Sequence, residues 1–149
     1  MIEKKKILVS ACLLGTPCRY DGKSKPNERV ISLSGKYELI PVCPECDGGL
    51  PTPRIPSERV GDLVLMRDGR DVTENYKKGA LLSCNLCREM KIDTAILKAR
   101  SPSCGKDKIY DGTFTGKLTN RSGVTAEMLI DSGVRVLTEE ELDDLIILS

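Results

Sequence analysis

Ile7-Leu8-Val9-Ser10-Ala11-Cys12-Leu13-Leu14-Gly15 is the stretch of this 149-residue chain that decides the fold. Ile7-Leu8-Val9 is apolar without alternation, which is what a strand covered on both faces requires, and such strands belong to parallel sheets layered between helices. The run ends at a turn of small residues, so Cys12 follows directly on the strand. Leu39-Ile40-Pro41-Val42 repeats the pattern and is stopped by Cys43-Pro44. Thr94-Ala95-Ile96-Leu97 repeats it again, feeding Ser101-Pro102-Ser103-Cys104-Gly105. Val134-Arg135-Val136-Leu137 makes a fourth strand.

Between these runs the periodicity turns helical. Asn27 is placed to cap a short helix ending near Gly35. Thr73 to Met90 carries Tyr76, Ala80, Leu81, Cys84 and Cys87 at intervals of three and four, the spacing of one helical face. Ser122 to Ser132 reads as a helix closed by Gly133, and Thr138 with Glu141 forms a capping box for a last helix to about Leu148. Leu63 to Met66, the turn Asp68-Gly69 and Asp71-Val72 read as a small hairpin. Residues 44–57, dense in Pro and Gly, read as a stiff, non-helical loop. Strands alternating with helices give an α/β, layered (Rossmann-like) fold with a mainly parallel sheet flanked by helices, and 1–149 is expected to be one domain. Ligands of such sheets bind beyond the carboxyl ends of the strands, where all three cysteine turns lie.

Composition narrows the function classes. Twenty-three basic and 22 acidic residues leave a net charge of +1, so no strong field recruits nucleic acid or anionic lipid, and Lys4-Lys5-Lys6 reads as a solvated tail. Aromatics are 3% of the chain with no Trp, which is poor material for stacking platforms. No apolar stretch is long enough to span a membrane, and Ile7-Leu8-Val9 is too short for a signal-peptide core. The expected location is the cytoplasm, where seven cysteines mean metal or reactive thiols rather than disulfides. A chain of this length buries roughly two-thirds of its unfolded surface, so a metal would serve chemistry more than folding.

Two Cys-x-x-Cys pairs, Cys43/Cys46 and Cys84/Cys87, suggest a four-cysteine zinc module. Against this, Cys84 and Cys87 fall inside the most regular helix, where a spacing of three is that of a core face. Cys43 and Cys46 alone suggest a thiol-redox motif, which needs a helix starting right after Cys43, and the prolines and glycines beyond speak against one. Cys12, Cys43 and Cys104 form a different set. If their strands are neighbours, three thiols meet at one rim in a chain with no histidine. Three soft ligands without imidazole point to iron–sulfur chemistry with one iron left open, and backbone N–H groups in the turns would tune it. Glu45, two residues from Cys43, is either a surface carboxylate or a general acid/base beside that iron. Ser101 and Ser103 are turn hydroxyls or groups that polarise a substrate.

Ser10-Ala-Cys-Leu-Leu-Gly15, Arg19-Tyr-Asp-Gly22, Pro41-Val-Cys-Pro-Glu45, Gly48-Gly-Leu-Pro-Thr-Pro-Arg54 and Ser101-Pro-Ser-Cys-Gly105 together resemble the thiouracil desulfidase (TudS-type) family, from about Ile7 to the C-terminus. The resemblance implies a [4Fe–4S] cluster on Cys12, Cys43 and Cys104. Its fourth iron would capture the sulfur of a thiolated pyrimidine of the 2-thiouracil, 4-thiouracil or thiouridine type, giving the oxo base and sulfide without net redox change. It implies Glu45 as acid/base and Ser101 as the group that orients or polarises the base. Cys18 and Cys46 depart from the family, in which an aliphatic residue is expected at each position, and a fourth thiolate would close the reactive iron. With no basic surface signal and no fused domain, a free nucleobase is the expected substrate.

Overall fold

The computed structural model describes residues 4–148. β1 (Lys6–Ser10) runs into a short 3-10 turn at Ala11–Leu14, and α1 (Glu28–Ser32) follows with the Asn27 side chain accepting from the Val30 N–H at 3.1 Å. β2 (Glu38–Val42) lies parallel to β1, Ser10 opposite Val42. After α2 (Pro44–Asp47) come β3 (Ser57–Val60) and β4 (Leu63–Met66), an antiparallel hairpin, and then α3 (Thr73–Met90). β5 (Thr94–Leu97) joins the other side of β1. β6 (Ile109–Tyr110) and β7 (Leu118–Thr119) form a small ribbon, and α4 (Val124–Asp131), β8 (Arg135–Thr138) and α5 (Leu142–Leu148) finish the chain. The main sheet has the order β2-β1-β5-β8, all parallel.

The apolar run of β1 earns its central place. Ile7, Leu8 and Val9 are fully buried, each contributing about 1.5–3 kcal/mol by leaving water. Alternation sends them to opposite faces. Ile7 and Val9 join Val30 of α1 and Leu142 and Leu145 of α5, whereas Leu8 joins Cys87 of α3 and Ala126 and Leu129 of α4. The sheet is therefore covered on both sides, and the order reverses between β1 and β5, where a crevice opens at the strand C-termini. Ser10 Oγ bridges that edge by accepting the Lys98 N–H at 2.9 Å. The capping box forms: the Glu141 carboxylate accepts the Thr138 N–H at 3.0 Å, and the Thr138 hydroxyl accepts the Glu140 N–H.

Two segments differ from the sequence reading. Residues 44–57 are not wholly non-helical, because Pro44–Asp47 make one helical turn capped by Cys43, so the absence of a helix after Cys43 no longer counts against a thiol-redox pair. Pro44 opens it at a position where the absent N–H costs nothing and its fixed φ is already helical. The longer partner of β4 is Ser57–Val60, a strand not read from the sequence; the expected pairing with Asp71-Val72 forms as well, with Leu65 opposite Asp71 and the Met66 and Val72 N–H groups donating to the Arg70 and Val64 carbonyls at 2.9 Å each. The charges at 58 and 59 hid this strand. Glu58 is buried and accepts the Gly112 and Phe114 N–H groups at 3.0 and 3.1 Å, and buried Arg59 pairs with Glu127 at 3.1 Å.

Candidate active site

A cavity of about 760 Å³ lies at the C-terminal edge of β1, β2 and β5. Cys12, Cys43 and Cys104 all line it, one after each strand, together with Glu45 and Ser101. The five residues named from the sequence thus meet in one place. Ser103 does not join them. It is fully buried, its hydroxyl 2.8 Å from that of Thr125.

Each turn is held by its own local device. Cys12 sits in the 3-10 turn after β1, and its carbonyl accepts the Lys25 N–H at 2.9 Å. Cys43 caps α2, which is pressed against α3 at Gly79; a Cβ there would collide with the Pro44 carbonyl, so only glycine lets the two backbones approach. Cys104 sits in a turn that caps α4, since Pro102 and Ser103 offer their carbonyls to Val124 and Thr125 N–H groups at 2.9 Å each. Gly123 is required there for the same reason as Gly79, with the Ser103 backbone against it. Ser101 Oγ accepts the Ser103 and Cys104 N–H groups at 3.1 and 3.0 Å. With both acceptor positions taken, its remaining capacity is to donate its proton, and it faces the cavity.

The thiols sense one another. Burial pushes the Cys12 thiol up to about 11, with nearby Lys98 pulling it down and Cys43 adding to the rise. Cys43 is raised by its contact with Cys18 and then by burial; Cys104 is raised by burial, with Cys12, Glu45 and Cys43 adding to it. Burial favours neutral thiols, and a bound cation centre reverses that preference. Among the described residues no three Cys, Asp or Glu side chains gather closely enough to wrap a single metal ion. Three separate thiols around one cavity instead match a multi-iron cluster, which asks each thiolate for one iron. The donor set therefore fits the iron–sulfur group expected from the sequence.

The two departures behave differently. Cys18 lines the cavity, and its thiol contacts Cys43. Cys46 does not line it, and its Sγ lies 3.3 Å from Thr52 Oγ1 and 3.7 Å from the Cys18 carbonyl. The other Cys-x-x-Cys pair is remote from this edge: Cys87 is buried between α3, α4 and the sheet, and Cys84 packs beside it, 3.9 Å from Ser132 Oγ. The four cysteines do not assemble into a zinc site.

Sequence reasoning missed three groups. Lys98, paired with Glu139 at 2.9 Å, stands near Cys12 and offsets thiolate charge. Tyr76 looked like an ordinary core residue, yet its hydroxyl meets Glu45 and Ser57 at the cavity wall. The low aromatic content concealed where the rings are. Of the chain's five aromatic residues, Tyr20, Tyr76, Tyr110 and Phe114 line this cavity, with Arg19 over Tyr20 and Arg67 over Phe114. Only their count was visible in the sequence.

Comparison with known proteins gives concordant results. A family model described as 2-thiouracil desulfurase matches residues 7–141. The uncharacterized protein YbbK of Bacillus subtilis (strain 168) is 41% identical over 150 residues, covering 94% of this chain and 99% of that protein. The solved structure of a [4Fe-4S]-dependent thiouracil desulfidase, TudS, is 44% identical and superposes with a TM-score of 0.92 over 97% of each chain.

Proposed function

The chain belongs to the 2-thiouracil desulfurase family, and we propose that its cavity takes the sulfur from a thiolated pyrimidine, leaving the oxo base and hydrogen sulfide. The enzyme is an iron–sulfur-dependent desulfidase with a [4Fe–4S] cofactor. The observation that carries the assignment to these residues is that Cys12, Cys43 and Cys104 reach one cavity from three strand ends with Glu45 beside them. The three thiolates would hold the cluster. When bound, it supplies a sulfur-seeking Lewis-acidic iron that these three cysteines leave open.

The net reaction, C=S plus H₂O giving C=O plus H₂S, changes no oxidation state, so the chain's task is proton transfer and orientation. Glu45 takes a proton from the water that adds to the thiocarbonyl carbon and returns it to the departing sulfur. The Ser101 hydroxyl, fixed by two backbone donors, donates a hydrogen bond to the pyrimidine's remaining carbonyl oxygen and so polarises the ring. Tyr110 and Phe114 supply apolar surface for a planar ring. Residues 1–149 act as one desulfidase domain on a free base, in the cytoplasm, where the seven free cysteines stay reduced.

Anaerobically reconstituted protein is expected to release one sulfide for each thiouracil converted to uracil. Glu45→Gln is expected to keep the cluster's visible absorption and lose turnover. Loss of the cluster in that variant would remove the acid/base role, and absence of sulfide from every thiouracil tested would remove the reading.

A further inference from the structure

Arg54 presents five N–H donors, and all five have protein partners. Nε donates to Glu45 Oε2 at 2.9 Å, and Nη2 donates to the same oxygen and to the Cys18 carbonyl at 3.1 Å. Nη1 reaches the Pro51 carbonyl at 3.1 Å and Thr52 Oγ1 at 3.2 Å. No donor remains for a substrate, so Arg54 does not read the base. Its side chain is 4% exposed and that of Glu45 14%, so the pair is desolvated and its geometry is strongly held. The backbone completes the lock, with the Arg54 N–H donating to the Tyr20 carbonyl at 2.7 Å. Tyr76, fully buried on α3, brings its hydroxyl to the same carboxylate.

We propose that Arg54 and Tyr76 are positioning residues that clamp the Glu45 carboxylate at the cavity wall, so that its proton transfer is delivered from one fixed place. The inference rests on the acid/base reading of Glu45. A flexible carboxylate on a one-turn helix would sample many rotamers, and a misplacement of about 1 Å lowers rate by ~100-fold without weakening substrate binding.

The test compares Arg54→Met, Arg54→Lys, Tyr76→Phe and Glu45→Gln in cluster-loaded protein, with iron content measured for each. Arg54→Met is expected to lower kcat by ~100-fold with KM within about threefold. Arg54→Lys, which keeps one donor for Oε2, is expected to recover ~10-fold of that loss and stay ~10-fold below the unaltered enzyme, and Tyr76→Phe to lower kcat by ~10-fold. A crystal structure of Arg54→Met is expected to show the Glu45 carboxylate turned from its place. The clamp is overturned if Glu45→Gln is slow while Arg54→Lys and Tyr76→Phe run at full kcat, if the losses fall in KM alone, or if Glu45 keeps its position in Arg54→Met. Full kcat in Glu45→Gln would overturn the acid/base reading itself, and the clamp with it. If Arg54→Met does not fold, Arg54→Lys and Tyr76→Phe decide the matter.

Discussion

Cys43/Cys46 and Cys84/Cys87 share the same spacing and have opposite surroundings. Cys43 ends a strand at the open edge of the sheet, and around it are three more thiols (Cys12, Cys18 and Cys104), a carboxylate and a cavity. Cys87 lies in the last turn of an 18-residue helix, pressed between α4 and the sheet, with apolar partners. The spacing brings two sulfurs near each other in both places. Only the strand end leaves one of them, Cys43, somewhere a substrate can reach. In a doubly wound sheet the carboxyl edge is where backbone turns away from the core, and that decides which cysteine can do chemistry.

The comparison can be broken most sharply at Cys43 and Cys104. Replacing either by Ser is expected to abolish turnover and remove the iron, measured by elemental analysis of anaerobically purified protein. Cys84→Ser is expected to retain both, and loss of iron there would break the contrast. Next in size, Glu45→Gln is expected to cut kcat by ~10²–10⁴-fold with the cluster spectrum unchanged.

Cys87→Ala is expected to cost about 1–2 kcal/mol in denaturant unfolding, through lost packing, and to spare activity per folded molecule. Its pH dependence has a definite sign. Burial, with Cys84 adding, pushes the Cys87 thiol up to about 11 from an ordinary 9.0. Because the unfolded chain gives up this proton first, the stability linked to it is complete below about pH 9 and is lost as pH rises toward 11. Cys87→Ala should flatten that alkaline slope, and an unchanged slope would show that Cys87 is not its source. The smallest effect belongs to Cys46→Ala. Since Cys46 does not line the cavity, iron content and kcat should stay within about twofold.

The sheet was legible because its strands are short apolar runs, and Ile7-Leu8-Val9 needs cover on both faces wherever it is placed. The site was legible because three cysteines, Glu45 and Ser101 each follow such a run. The single turn at Pro44–Asp47 was hidden by the proline and glycines that, in this instance, start and end it. β3 was hidden because Glu58 and Arg59 look like loop charges until their partners, Gly112 and Glu127, are brought over by distant segments. Tyr76 and Arg54 were hidden for a related reason. Their partner is Glu45, and nothing local in the chain pairs position 54 or 76 with 45.

The claim that strand-end thiols hold a desulfidase cluster is tested most directly by counting iron and acid-labile sulfide in the unaltered protein purified without oxygen. About four of each per chain are expected, both lost together in Cys104→Ser. Zinc in place of iron, or iron retained in Cys104→Ser, would contradict it.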